Sequence, residues 1–146
     1  MKVLWIIIAF ISGVLLPIQA GVNIRLGKSI DSAVYASMLS FIVGVLSMLL
    51  YIILVREQVS WAGIKTAPAY AWLGGILGAF YVTATMFAFA RLGPALTFGL
   101  VVAGQMVIAV LFDHFNIMVA QQHSINIWRV LGVMLVVAGV VVIRKF

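Results

Sequence analysis

Residues 32–55 read SAVYASMLSFIVGVLSMLLYIILV and contain no charged side chain. A helix needs about 20 such residues to cross the roughly 30 Å hydrocarbon core of a bilayer. Because backbone polar groups in that core must be paired within the protein, an apolar run of this length is expected to cross it as an α-helix. This segment therefore predicts a membrane-spanning helix.

Four further apolar blocks flank this segment and have nearly the same character, at about residues 4–24, 69–90, 94–112 and 128–143. Hydrophobic residues make up 66% of the chain and charged residues only 8%, whereas soluble domains are about 45–50% apolar. The mean hydropathy is +1.28. The prediction is an all-α integral membrane protein, a five-transmembrane-helix bundle in one membrane domain over residues 1–146.

The net charge of +6 does not indicate a nucleic-acid partner. Nucleic-acid-binding proteins cluster their cationic side chains on one face. Here the Lys and Arg residues stand singly or in pairs between apolar blocks, which is typical of anchors at the lipid headgroups. The expected surroundings are the lipid bilayer.

The positions of the cationic residues favour neither orientation of the chain in the membrane strongly. Orientation normally follows the Lys/Arg asymmetry of short loops. The N-terminal side carries Lys2, Arg56, Lys65 and Arg129, and the other side carries Arg25, Lys28, Arg91, Arg144 and Lys145. Two explanations fit this nearly even division. Both orientations are inserted and pair as an antiparallel homodimer, or another determinant such as a partner protein fixes one orientation.

The first span carries the most polar side chains. Pro17 removes a backbone donor and predicts a kink or break in the helix. Ser12, Gln19 and Asn23 share one helix face, and unpaired amides facing lipid would be unfavourable. Gln19 and Asn23 are therefore expected to face the bundle or a cavity. Interhelical hydrogen bonding and the lining of a substrate path both remain open.

Three polar side chains in later spans are further candidates for the path. Tyr81 is either an interfacial anchor or part of a cavity wall, and Gln105 lies well inside the fourth span. Asp113 directly follows the fourth span, and an intramembrane ionisable group is a functional candidate. Asp113 could equally lie at the headgroup level.

Small residues predict where helices approach closely. Gly74 and Gly78 form a GxxxG pattern, which allows backbones of neighbouring helices to meet. Gly132 and Gly139 lie on one face of the last span. These four glycines are predicted to pack helices within the chain or between two copies.

No pattern of catalytic residues is present. The chain has no cysteine, and it lacks the GxSxG, HExxH and P-loop motifs. Asp113, His114 and His123 have the residue types of metal ligands, but their spacing matches no usual ligand pattern. The sequence predicts a protein that is not an enzyme, with no catalytic residues, no metal site and no cofactor.

The polar and small residues occur in an order that resembles a known family. They are Gly13-(x)3-Pro17-Ile18-Gln19-(x)3-Asn23-(x)2-Leu26-Gly27, Ser40-Phe41-(x)2-Gly44, Trp72-Leu73-Gly74-Gly75-Ile76-Leu77-Gly78-Ala79, Gly104-Gln105, Asp113-His114-Phe115, Arg129-(x)2-Gly132 and Ala138-Gly139-Val140. Over essentially its full length the chain resembles the YdcZ-type family of short inner-membrane exporters, within the drug/metabolite transporter superfamily. Asn116 stands where this resemblance leads us to expect glycine.

The resemblance implies a multi-pass transporter of the bacterial inner (plasma) membrane, with two copies or two paralogues completing one path. The last span is also similar to that of the small multidrug resistance proteins, in which two glycines seven residues apart mark an antiparallel dimer contact. That likeness implies a dimer contact at Gly132 and Gly139. Those proteins use a first-helix glutamate to bind cations, and the first span here has no acid.

The sequence therefore predicts a small secondary transporter or exporter that moves a small polar or zwitterionic solute by alternating access as a dimer. Its partners would be that solute, the lipid bilayer, and a second copy or a paralogue. The predicted substrate path consists of Gln19, Asn23, Pro17, Ser12, Tyr81, Gln105 and Asp113. The alternatives are a non-transporting subunit that scaffolds a partner protein and a flippase for lipid-linked metabolites.

Overall fold

A computed structural model describes residues 1–146, which form helices and no strands. The helices are α1 (Lys2–Ser29), α2 (Ala33–Val55), α3 (Ala62–Thr66), α4 (Leu73–Leu92), α5 (Pro94–Phe115) and α6 (Ile127–Lys145), and a 3₁₀ turn over Ala69–Trp72 leads into α4. Five helices are long and apolar enough to cross a membrane: α1, α2, α4 with its leading turn, α5 and α6. The all-helical, membrane-spanning fold class predicted from the sequence is confirmed to that extent.

Helix α1 is longer than the apolar run that predicted it. Its 28 residues correspond to about 42 Å at 1.5 Å per residue, which exceeds the hydrocarbon core and extends through the headgroups. Pro17 lies inside α1 without interrupting it, so the expected break is absent. The proline lacks the N–H that would bond to the Gly13 carbonyl, but the residues on both sides of it remain helical.

The ends of the helices follow the local chemistry of the sequence. At the end of α1, Asp31 adopts a φ of 52°, and the Ser32 amide donates to the Gly27 carbonyl at 3.0 Å. This is the Schellman arrangement that closes many helices. The Ser32 hydroxyl then accepts from the Tyr35 amide at 3.3 Å and caps α2.

The start of α5 is set by a glycine–proline pair. Gly93 has φ 79° and ψ 168° and precedes Pro94, the first residue of α5. The φ is positive, and the ψ is extended and not left-handed helical. That region is essentially restricted to glycine, so the backbone conformation immediately before α5 depends on the missing Cβ.

The chain divides into two compact units, Met1–Ala90 and Arg91–Phe146. In the first unit, α1 buries a stripe of small residues, Ala20, Asn23 and Gly27. A Cβ atom at Gly27 would lie 3.4 Å from the Met86 Cε, so the glycine allows α4 to approach α1. The Ser37 hydroxyl of α2 donates to the Met86 sulfur at 3.2 Å.

In the second unit, α5 packs against α6. A Cβ atom at Gly99 would lie 3.0 Å from the Val140 Cγ2, which is tighter than an ordinary van der Waals contact. Ala103, one turn further along α5, is also buried. Small residues on α5 therefore set the distance between these two helices.

Candidate functional site

Asn23 is the most unusual polar side chain of the first unit. Only 4% of its surface is exposed, and its Nδ2 is buried without a hydrogen-bond partner. Asn23 reaches this position because it lies three residues after Ala20 and four before Gly27, on the packed stripe of α1. An amide without a partner in such surroundings carries a free-energy penalty of about 1–3 kcal/mol.

Gln19 lies elsewhere, although the sequence predicted that it shares an environment with Asn23. It is exposed on the surface of the chain. At about 100° per residue, Gln19 lies about 40° from Asn23 around the helix and about 100° from Ala20, so it borders the buried stripe on its outer side. That Gln19 faces the bundle or a shared cavity stays a prediction, because the structure describes a single chain, in which this side chain is exposed.

Ser12 and Pro17 lie further towards the N-terminus of α1. The Ser12 hydroxyl is exposed and donates to the Ile8 carbonyl at 2.8 Å, so its hydrogen-bonding need is met within its own helix. Pro17 is half-buried. The structure therefore does not group Ser12 with Asn23.

Tyr81 provides a second unpaired polar atom in the first unit. Its hydroxyl is buried without a partner. Asn23 lies one turn before Gly27 on α1, and Tyr81 lies just over one turn before Met86 on α4. Gly27 and Met86 are in contact, and the first and third spans run in the same direction across a membrane. The two unpaired groups consequently lie at similar depth.

Two polar residues of α5 differ in burial. Gln105 is exposed, whereas Thr97 is only 2% exposed and its Oγ1 has no partner. The sequence analysis missed Thr97 because a helical threonine hydroxyl commonly bonds to the carbonyl one turn earlier. Here the Thr97 amide donates to the Gly93 carbonyl at 3.2 Å, but the Thr97 hydroxyl does not. Nothing in the sequence distinguishes a threonine whose hydroxyl is unpaired from one whose hydroxyl bonds to the preceding turn.

Asp113 is paired. Its Oδ2 accepts from Arg129 Nη1 at 2.9 Å, and the two side chains are 31% and 29% exposed. The sequence analysis treated Arg129 only as a headgroup anchor and so missed this partner. Their positions in the sequence could have suggested the pair. Asp113 lies near the end of α5 and Arg129 near the start of α6, so both border the same connection.

Several hydrogen bonds hold the connection between α5 and α6. The Arg129 guanidinium also donates to the His123 carbonyl at 3.2 Å, and the His123 amide donates to the Asp113 carbonyl at 3.1 Å. His114 Nδ1 accepts from the Ile125 amide at 3.2 Å. The two histidines thus contact backbone groups of the connection itself, and no cluster of three metal-ligating side chains forms.

Asn116 ends α5 in the left-handed region, with φ 54° and ψ 40°. Glycine is the usual residue at such a position, and asparagine is the next most common. The sequence resemblance led us to expect glycine here, and the backbone explains both the expectation and the substitution.

A comparison with protein families matches residues 4–142 to the family described as "Putative inner membrane exporter, YdcZ". The chain belongs to this family. The match covers almost the full length and confirms the resemblance drawn from the motifs. As a YdcZ-family protein with five spanning helices, it is a multi-pass protein of the inner membrane, and its family is described as an exporter and not as an enzyme. Neither a curated protein nor a solved structure matched the chain.

The glycines of this YdcZ-family chain differ in what surrounds them. A Cβ atom at Gly78 would lie 3.8 Å from the Phe41 ring, so Gly78 is in a packed position between α4 and α2. Gly74, Gly132 and Gly139 have nothing within 4 Å of that position. The open faces at these three glycines are available to lipid or to another protein.

Proposed function

We propose that this YdcZ-family protein is a small secondary transporter that exports a small polar or zwitterionic solute by alternating access as an antiparallel dimer. Asn23 and Tyr81 line the solute path in the first unit. Gln19 and Gln105 complete it from surfaces that a second copy covers. Pro17, Ser12 and Asp113 stay in the proposed path as neighbouring positions.

This proposal rests on the unpaired amide of Asn23. A buried polar group is normally hydrogen-bonded, and an exception calls for a physical explanation. A side chain serving only as interhelical glue would have a partner, because its contribution comes from that bond. A side chain that binds a solute has no partner when the solute is absent.

Two observations support the dimer. Gln19 and Gln105 lie in membrane-spanning helices and are exposed in the single chain, although amides facing acyl chains are unfavourable. The open glycines Gly132 and Gly139 lie on the last helix, where small residues allow close helix contact. An inverted pair of copies would cover these surfaces and supply the repeat on which many secondary transporters are built.

The charges of the spans support the solute class. The first span contains no acid, and the carboxylate at the end of the fourth is held by Arg129. A cationic substrate would therefore meet no unpaired carboxylate in the spans. Asn23 and Tyr81 offer neutral donors and acceptors, which suit a neutral solute or a zwitterion.

A transport assay tests the function. Purified protein is screened for solutes that raise its unfolding temperature, because a ligand of the folded state stabilises it. The ligand found is followed into proteoliposomes containing wild type or Asn23→Leu. We expect Asn23→Leu to abolish flux without loss of stability, because leucine has the same branched arrangement of four side-chain heavy atoms and removes an unpaired buried amide. Ser47→Ala is the matched control, since the Ser47 hydroxyl already bonds within α2 at 2.8 Å.

The same variants separate the rival functions. A scaffolding subunit would show no solute flux in proteoliposomes and would copurify with a partner protein in fixed ratio. A flippase would move a lipid-linked metabolite and no water-soluble solute. If Asn23→Leu unfolds the protein or disrupts its assembly, Asn23 is a packing residue and the path proposed here is wrong.

A further inference from the structure

A cavity of about 320 Å³ opens in the first unit where α1 ends, α2 begins and α4 completes its last turns. Its lining combines polar and apolar side chains, among them Ile24, Lys28, Asp31, Met86 and Phe87. These segments all lie at the same membrane face, because the first and third spans end where the second begins. The cavity is therefore an opening at one surface of the membrane.

Lys28 and Asp31 place opposite charges on the rim of this cavity. They do not form an ion pair with each other; the ion pair in the structure joins Asp113 to Arg129. The closing turn of α1 fixes the backbone that carries both residues, because the Ile30 amide donates to the Leu26 carbonyl at 3.2 Å and the Ser32 amide donates to the Gly27 carbonyl at 3.0 Å. One ammonium and one carboxylate thus remain free on the same rim.

The rest of the lining is apolar and leads towards the unpaired amide. Met86 and Phe87 form part of the wall. Gly27, which also lines the cavity, lies one turn from Asn23 on the buried stripe of α1. The buried amide therefore lies one helical turn from the lining of this opening, where Gly27 and Met86 lie close together.

We propose that this cavity binds a zwitterionic solute of the amino-acid class that carries an apolar side chain. Asp31 binds its ammonium, Lys28 binds its carboxylate, and the wall of Met86 and Phe87 contacts its apolar side chain. Charged hydrogen bonds of this kind are stronger than neutral ones. The inference rests on the proposed transport function, for which it names the substrate class and the membrane face where the solute enters or leaves.

Equilibrium binding to the purified full-length protein tests this site without requiring transport. The probe is leucine, and two matched compounds each lack one of its charges: 3-methylbutylamine without the carboxylate and 4-methylpentanoate without the ammonium. We expect leucine to bind and each matched compound to bind about tenfold more weakly or worse, because a charged hydrogen bond contributes about 1.5–3 kcal/mol.

Two variants test which charged group of the solute Lys28 and Asp31 each bind. Lys28→Met should reduce leucine affinity about tenfold and leave 3-methylbutylamine binding unchanged, and Asp31→Asn should do the reverse with 4-methylpentanoate. Asparagine tolerates the positive φ at position 31, so the turn is kept. The controls are Lys65→Met and Glu57→Gln, which remove equivalent charges outside the cavity lining.

The outcomes separate this inference from the transport function. If leucine fails to bind, or if 4-methylpentanoate binds as tightly as leucine, the zwitterion site is wrong even where proteoliposomes transport another solute. If leucine binds as expected but no proteoliposome flux occurs for it or any screened solute, the site stands and the transport function is wrong. Equal effects of the cavity and control variants would also overturn the site.

Discussion

Arg129 Nη1 donates to Asp113 Oδ2 at 2.9 Å, across a separation of 16 residues along the chain. The pair joins the end of α5 to the start of α6, so it closes the connection between those helices at its base. Asp113 lies in the last turn of the spanning helix α5, and this bond partly compensates its charge. A carboxylate held in this way differs from a free acidic site for a cation.

A double-mutant cycle tests the contribution of this pair. Because both side chains are about one third exposed, we expect a coupling free energy of about 0.2–1 kcal/mol between Asp113→Asn and Arg129→Gln in unfolding experiments in detergent. Arg129→Gln should be the more damaging single change, since it also removes the bond to the His123 carbonyl. Loss of flux in Asp113→Asn at unchanged stability would support the place of Asp113 in the proposed path, and unchanged flux would remove it from that path.

Gly99 should resist substitution by alanine. The added Cβ would lie 3.0 Å from the Val140 Cγ2, and β-branched valine has little rotameric freedom in a helix. Gly104 lies on the same helix, and a Cβ atom there would have nothing within 4 Å. Gly104→Ala should therefore stabilise the helix by about 0.5–1 kcal/mol, because alanine has a higher helix propensity than glycine. We expect a lower unfolding temperature for Gly99→Ala than for Gly104→Ala. The opposite order would contradict the close packing of α5 on α6.

Asn116 should tolerate glycine better than alanine. The left-handed conformation at φ 54° disfavours alanine by about 1–2 kcal/mol, whereas glycine adopts it freely. We therefore expect Asn116→Gly to be at least as stable as wild type and Asn116→Ala to be less stable, as measured by thermal unfolding. Equal stability of the two variants would show that the helix ends in another conformation.

The nearly even division of cationic residues leads to a prediction about orientation. Reporter tags at each terminus should be found on both faces of the membrane, because Lys and Arg give little bias. Adding two lysines to one short connection should shift the whole population to one orientation and reduce flux. Detection of each terminus on one face only in the wild type would contradict the antiparallel dimer.

The helices were predictable because membrane-spanning segments are encoded locally. A long apolar run such as Ala33–Val55 has few alternatives in a bilayer, since its backbone must be paired within the segment. Local chemistry also accounts for helix ends, such as the Ser32 cap of α2 and the positive φ of Gly93 before Pro94. The expected break at Pro17 was wrong because one missing N–H does not interrupt a long helix.

The candidate site was less predictable because burial depends on which helix lies alongside. Gln19 and Asn23 are one turn apart and have the same chemistry, yet only Asn23 lies on the stripe that α1 buries. The partner of Asp113 lies 16 residues away across an irregular connection. The periodicity of a single helix predicts neither the different burial of Gln19 and Asn23 nor the partner of Asp113.

Labelling of a single cysteine at position 23 tests the central claim most directly, because the natural chain contains no cysteine. The account predicts that Asn23→Cys in membranes reacts with a water-soluble thiol reagent and that bound solute protects it, since a transport path admits water and solute in turn. Lys65→Cys in the connection should react regardless of solute, and Leu49→Cys on the exposed surface of α2 should remain unlabelled. A cysteine at position 23 that is unreactive from both faces, in protein shown to be folded, would contradict the transport path.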